Sequence, residues 1–374
     1  MYRFRDIRQL HLEITTACNA SCPLCLRNVL GGKVNPVMPE AELTLADVQA
    51  MFSASFIRQL KLMYLCGNYG DPMVARDTLE MLEHFRRTNP GIRLGIHTNG
   101  SGRNPEWWAR LAAVVDYCRF GIDGLEDTNH LYRRGTRWTK ILESVTAFIA
   151  AGGSAEWDFI VFRHNEHQVE AARELSQALG FIRFFVKKTY RFVNPAAGRR
   201  MGRVSVFDRE GSFEYYVEEP RSEEYQNEAL VQLGRLLDGP QSFQDYLEDT
   251  EIQCKVAASP QLYVSAEGLA FPCCWTANIY PWYQPLAEHG VRRLLERLPE
   301  GKRSLDARVH PLEEIVESPF FQEEIPASWR RKSLAQGRLE VCARICGTHD
   351  LYGAQAPQLS MLRQGAARKL EVKR

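Results

Sequence analysis

The chain reads as a globular α/β protein with a parallel sheet: the alternation of its elements predicts the sheet, and its length and composition predict a globular chain of more than one domain. From residue 8 to about 187, short apolar runs alternate with helical stretches, the pattern of parallel strands joined by right-handed crossovers. The chain has 374 residues, enough to bury a large core and to hold more than one domain. Its apolar fraction of 45% is that of an ordinary globular protein.

The first strand is expected at 10–15, where Leu10-His11-Leu12-Glu13-Ile14-Thr15-Thr16 reads as a buried run. A helix at 44–57 leads to a strand at 61–66, which runs into Gly67-Asn68-Tyr69-Gly70-Asp71-Pro72. A helix at 75–88 leads to a strand at 92–98, followed by Asn99-Gly100. A helix at 105–114 leads to a strand at 116–122, followed by Asp123-Gly124. A helix at 138–151 leads to a strand at 157–163, followed by His164-Asn165-Glu166-His167-Gln168. A helix at 166–179 and a strand at 181–187 complete the series. The strand ends on one edge of such a sheet are where chemistry is expected. Residues 188–253 break the alternation and read either as a linker and inserted segment bridging two modules or as a plain surface insertion. Residues 254–350 hold a second cysteine group, and 351–374 form a tail that is polar and basic from 357. The chain shows no internal repeat.

Composition excludes several classes. Lys and Arg total 47 against 46 for Asp and Glu, a net charge of +1, which argues against nucleic acid bound over the whole surface. The start, MYRFRDIRQL, has no apolar signal-peptide core, and no apolar run approaches the about 18 residues of a membrane span. A cytoplasmic protein with no membrane partner is expected. Ten cysteines in that setting point to metal or redox chemistry rather than a disulfide framework.

Three of those cysteines lie on the loop leaving the first strand: Cys18, Cys22 and Cys25, in CNASCPLC, a CxxxCxxC pattern. Three thiolates on one short loop can hold three irons of a 4Fe-4S cubane and leave the fourth iron without a protein ligand. Structural zinc is the alternative, but it prefers four closed ligands in two CxxC-like pairs. A disulfide would need an oxidising compartment. The loop resembles the signature of the radical SAM superfamily, in which the open iron chelates S-adenosylmethionine (SAM) and the reduced cluster cleaves it to methionine and a 5'-deoxyadenosyl radical. By that resemblance the six strand–helix units make a partial (β/α)6 TIM-like barrel over 1–187.

Later loops extend the resemblance. Gly67, Asn68, Gly70 and Asp71 are similar to the family's Gly-Gly-Glu-Pro stretch, with Asp71 at the usual glutamate position, and glycine lets backbone approach a ligand closely. Asn99 follows in His97-Thr98-Asn99-Gly100, and Asp123 in Phe120-Gly121-Ile122-Asp123-Gly124, where Gly121 replaces a serine that often contacts SAM. His130-Leu131-Tyr132-Arg133-Arg134-Gly135 resembles a His-Asp-x-x-Arg-Gly stretch. The resemblance favours Arg134 over Arg133 as the bidentate partner of the SAM carboxylate. Asn165 lies where a polar SAM contact is often found. His164 and His167 read as helix-start or solvent residues, and Cys66 and Cys118 as packed core thiols.

In the C-terminal part, Cys254 and Cys273 flank two short strands, Gln261-Leu262-Tyr263-Val264-Ser265 and Leu269-Ala270-Phe271, turning at Ala266-Glu267-Gly268. Cys342 and Cys346 form a CxxxC pair one helical turn apart. This arrangement resembles the auxiliary-cluster modules called SPASM and twitch, in the twitch form with one cluster. The resemblance implies one closed auxiliary 4Fe-4S cluster on Cys254, Cys273, Cys342 and Cys346. Cys274 is either a packed thiol or the ligand in place of Cys273, and zinc on the same four cysteines is the chemical alternative.

The implied function is that of a radical SAM oxidoreductase drawing electrons from a flavodoxin- or ferredoxin-like reductant. Two substrate classes are open. The SPASM-like hairpin favours a peptide, oxidised or cross-linked at a side chain. The near-immediate start of the first strand, with no fused peptide-recognition domain expected, favours a small polar metabolite such as an aminocyclitol or sugar. The balance leans narrowly to a peptide. A non-catalytic iron–sulfur carrier or zinc scaffold is the alternative of another class, and it would have no need of SAM-binding loops.

Overall fold

The structure, a computed structural model, describes residues 1–194, 199–237 and 242–348; the tail expected at 351–374 lies outside them. Six strands follow the predicted series: β1 (Gln9–Leu12), β2 (Leu62–Leu65), β3 (Arg93–Thr98), β4 (Tyr117–Gly121), β5 (Ala155–Val161) and β6 (Arg183–Lys188). Each pairs in parallel with the next, and helices cross between them as a partial barrel requires. The outward residues Leu10, Leu12, Met63, Leu65, Leu94, Ile96 and Phe120 are buried in the core shared with those helices. β1 and β2 are buried along their whole length, as strands covered on both faces are.

The inner face is polar. His11 stacks on Tyr64 at 4.5 Å and Tyr64 on His97 at 5.5 Å. Arg119 pairs with Glu156 at 2.5 Å, and Lys187 with Asp158 at 2.5 Å.

Local chemistry moves several boundaries. The helix expected at 44–57 is two, Leu45–Met51 and Ala54–Gln59, because Ser53 starts a new helix by accepting a hydrogen bond from Phe56 N at 3.2 Å. β5 begins at Ala155 and ends at Val161, two residues earlier at each end than expected. β6 begins later than expected, at Arg183, because Gly180 ends the preceding helix in the left-handed region, φ 87°.

Beyond β6 come a short pair, β7 (Val193–Asn194) with β8 (Arg199–Arg200), and an antiparallel hairpin, β9 (Arg203–Phe207) with β10 (Phe213–Glu218). The C-terminal part adds β11 (Gln261–Val264) and β12 (Ala270–Phe271), antiparallel to each other as the hairpin reading expects. The expected boundary between a barrel and a separate cysteine module does not divide the sheet. β11 lies parallel to β1, from Gln9↔Gln261 to Leu12↔Val264, so the order is β12-β11-β1-β2-β3-β4-β5-β6. Without it the edge of β1 would expose unpaired backbone groups. No helix of the described residues is long and apolar enough to cross a membrane.

Candidate active site and cysteine centres

The chain leaves β1 through Glu13 and returns beside its own exit, with Leu43 N donating to Ile14 O and Thr16 N to Ala41 O. The intervening loop carries the first cysteines. Two tight turns, Cys25 N to Cys22 O at 3.1 Å and Asn28 N to Cys25 O at 3.0 Å, stack its second half. Cys22 is buried and Cys18 and Cys25 are half-buried. Burial pushes the Cys18 thiol well up, and Asp71 and then the neighbouring cysteines add to it. Burial likewise pushes Cys22 up to about 11, against the pull of the Arg133 cation and with Cys25 adding to the rise. Three soft sulfur donors gathered in a partly dry site fit three irons of a cubane.

The loops at the other strand ends close on this one, and most of the residues expected to touch SAM are engaged by protein groups. The Asp71 carboxylate accepts from Thr98 Oγ1 (2.8 Å), Asn99 N (2.7 Å) and Met73 N (3.0 Å), and Asp71 N donates to Ala17 O at 2.9 Å. Asp71 therefore clamps three loops together beside the first cysteine loop. Gly67 and Gly70 serve backbone-to-backbone packing: a Cβ on Gly70 would lie 1.8 Å from Thr15 O, and one on Gly67 2.0 Å from Gly70 O. Asn68 Nδ2 donates to Cys274 O at 2.8 Å. Asn99 Nδ2 donates to Asn19 Oδ1 at 2.8 Å and faces Cys18 Sγ at 3.9 Å, placing it against the cysteine loop. Asn19 had no signal beyond its place between the cysteines.

Arg134 points away from the strand ends, pairing with Glu214 at 2.5 Å and donating to Phe207 O at 3.0 Å on the β9–β10 hairpin. Arg133 turns inward. Its Nε donates to Asp123 Oδ2 at 2.5 Å, and its guanidinium fills the space beside Gly121, where a Cβ would lie 2.4 Å from Arg133 Nη2. A side chain at position 121 would collide with that guanidinium. Asp123 is fully buried and also accepts from Ile160 N at 2.6 Å. Asn165 is likewise fully buried; it donates to Asp123 O and Ile160 O, both at 2.9 Å, and accepts from Phe162 N at 2.7 Å. It pins the ends of β4 and β5 together. His164 stacks on Phe162 at 5.4 Å.

Of the segment left open between linker and insertion, the β9–β10 hairpin has a defined place. Val204, Val206 and Val217 of the β9–β10 hairpin share a core with Ala20, Cys22, Tyr132 and Phe162. Phe207 N donates to Leu30 O at 3.1 Å. The hairpin thus roofs the Cys22 side of the first cysteine loop.

The second cysteine group is gathered by contacts distant in sequence. An antiparallel bridge, Ile252 to Gly347, and the bond Gln253 N to Cys346 O at 2.8 Å bring Cys254 to the end of the helix Glu340–Cys346. Cys342 and Cys346 lie four residues apart on that helix, hence on one face. A hydrogen bond with Cys346, then burial, then Cys273 and Cys342 drive the Cys254 thiol far up. Cys273 joins this group through the β11–β12 hairpin. Burial pushes the Cys274 thiol up, and Cys273, then Cys66 and Glu13, add to the rise. All five thiols line one cavity of about 410 Å³ between the barrel mouth and the C-terminal segment. Cys118 is the packed core thiol expected, whereas Cys66 faces this cavity and burial pushes it up to about 12. Among the described residues no three His, Cys, Asp or Glu side chains converge on a single-ion site; a cubane sets its thiolates on separate irons.

Residues 12–175 match the Radical SAM superfamily. The tungsten-containing aldehyde ferredoxin oxidoreductase cofactor-modifying protein of Pyrococcus furiosus is 29% identical over 142 residues, 38% of this chain and 36% of that protein. A GTP 3',8-cyclase of Staphylococcus aureus is 22% identical over 160 residues, 42% of this chain and 46% of that one. The matched stretch thus spans less than half the length of these curated relatives. Among solved structures, Streptococcus suis SuiB bound to its precursor peptide SuiA aligns over 90% of this chain and 76% of that one, with TM-score 0.52 and 12% identity, a likeness of fold.

Proposed function

Through residues 12–175 this chain belongs to the radical SAM superfamily, and from that premise we propose that it is an oxidoreductase acting on a peptide side chain with the help of one auxiliary cluster. The observation that carries the reading is the placement of Cys18, Cys22 and Cys25 on one half-buried loop, closed in by Asp71 and Asn99 from the next two strand ends. Those three thiolates would each hold one iron and leave one open. A cluster and SAM held there would supply reductive SAM cleavage, the radical source for taking a hydrogen from the substrate. The chain's own residues order the site. Asp71 locks the loops, Arg133 sets a cation within reach of Cys22, and the β9–β10 hairpin keeps water from that side.

Cys254, Cys273, Cys342 and Cys346 would hold the auxiliary cluster, which would accept an electron from the substrate or anchor it. The cavity beside them has aromatic walls, Tyr190, Trp275, Tyr283 and Trp329, which suit a peptide side chain better than a polyol. A small polar metabolite is the second substrate reading. A flavodoxin- or ferredoxin-like protein would be the electron donor.

Anaerobic reconstitution with iron, sulfide, SAM and a reductant is expected to release 5'-deoxyadenosine, detected by mass spectrometry. A chain that takes up iron yet never cleaves SAM would be an electron carrier instead, and one that purifies anaerobically with zinc would be a scaffold. Cys273→Ala is expected to remove the auxiliary cluster, about four irons by analysis, while Cys274→Ala keeps them. The reverse result would make Cys274 the ligand.

A further inference from the structure

Glu13 is the last inward residue of the first strand run, 1% exposed. Its Oε1 accepts from Tyr69 N at 2.7 Å and from Gly70 N at 3.1 Å. Its other oxygen accepts from the Tyr263 hydroxyl. No salt bridge to Glu13 occurs among the described residues, and burial pushes its carboxyl up. A carboxyl so placed keeps two loop N–H groups satisfied where water does not reach.

Tyr263 belongs to β11, whose register sets it beside His11 of β1. β11 pairs with β12, which runs directly into Pro272 and Cys273. The adjoining Cys274 carbonyl accepts from Asn68 Nδ2 at 2.8 Å. The stretch Asn68–Gly70 is therefore held from two sides by the segment that carries the second cysteine group: directly through Asn68, and through Glu13 by way of Tyr263.

We propose that Glu13 is a positioning residue that shapes the 68–70 loop for SAM and makes that shape depend on the seating of the β11–β12 hairpin. This rests on the reading of that loop as part of the SAM site. The hairpin enters the sheet far from the first cysteines in sequence, yet it would govern how tightly the N-terminal site takes its cofactor.

The test uses the full chain, reconstituted anaerobically, with SAM affinity read by calorimetric titration. The change that SAM causes in the electron paramagnetic resonance spectrum of the reduced N-terminal cluster is the second readout. Glu13→Ala leaves the Tyr69 and Gly70 N–H groups without an acceptor and is expected to weaken SAM binding roughly tenfold at unchanged iron content. Glu13→Gln keeps an amide oxygen for both N–H groups and is expected to restore affinity to within about threefold of the parent chain. Tyr263→Phe cuts only the link to β11 and is expected to fall between them, with an altered SAM-induced spectrum. Parent-like affinity and spectrum in Glu13→Ala would overturn the inference. So would loss of iron in Glu13→Ala with no rescue by Glu13→Gln, which would mark a purely structural role. A parent chain with its full iron complement and no SAM affinity would reject the SAM reading itself, and this inference with it.

Discussion

The variant carrying Cys18→Ala, Cys22→Ala and Cys25→Ala is expected to form no 5'-deoxyadenosine and to lose about four irons, keeping the about four of the C-terminal set. The three thiols are the soft donors of the first loop, and its remaining close groups, Asn19 and Asn99, bond to each other. The residual cluster should show a cubane spectrum that added SAM leaves unchanged, because four thiolates close it. Iron analysis, visible spectra and mass spectrometry of the reaction mixture check the three parts separately. Continued SAM cleavage by the triple variant would reject the assignment of the first loop. Retention of zinc, or of no metal, would reject the auxiliary cluster while leaving the first assignment intact.

The second large effect concerns two adjacent arginines. Arg133→Ala strips the partner from Asp123, a carboxylate with no exposed surface, and opens a void beside Gly121. Breaking one half of a buried pair costs about 3–5 kcal/mol, mostly from the charge left behind. Arg134→Ala breaks a pair with Glu214, which is itself 37% exposed, and such pairs are worth about 1 kcal/mol or less. Denaturant unfolding of the SAM-free chain should therefore separate the two variants clearly. Replacing both members, Asp123→Asn with Arg133→Met, should recover part of the loss, since no buried charge remains and the asparagine oxygen can still accept from Ile160 N. Equal stability of Arg133→Ala and Arg134→Ala would contradict the burial argument. Titration with SAM is expected to leave the Arg134→Ala affinity unchanged, because its guanidinium is engaged by the β9–β10 hairpin.

What the sequence determined by itself is what depends on residues close together along the chain. The six parallel strands were legible because short apolar runs bounded by turn residues alternate with helical stretches; β1 and β2 are buried along their whole length, whereas β6 is half-buried throughout. The first cysteine loop was legible because its three thiols lie within eight residues, so one loop gathers them whatever surrounds it. The turn at Gly268 was legible for the same reason. Tertiary structure decided everything that required contacts between distant segments. Arg133 and Arg134 are neighbours with the same side chain, and only the positions of Gly121 and Glu214 send one inward and the other outward. Asp71, Asn99 and Asn165 look alike as polar residues after strands. Asp71 and Asn165 became loop clamps, while Asn99 stayed against Cys18. Glu13 gave no warning that it would join β11 to the 68–70 loop, since its partners lie about 56 and 250 residues away. Cys273 and Cys274 are adjacent and line one cavity with Cys254, Cys342 and Cys346, segments that only the tertiary structure brings together. Local pattern sets which elements form. Which side chain meets which is set by tertiary packing, where each buried polar group must find a partner from whatever segment lies nearest.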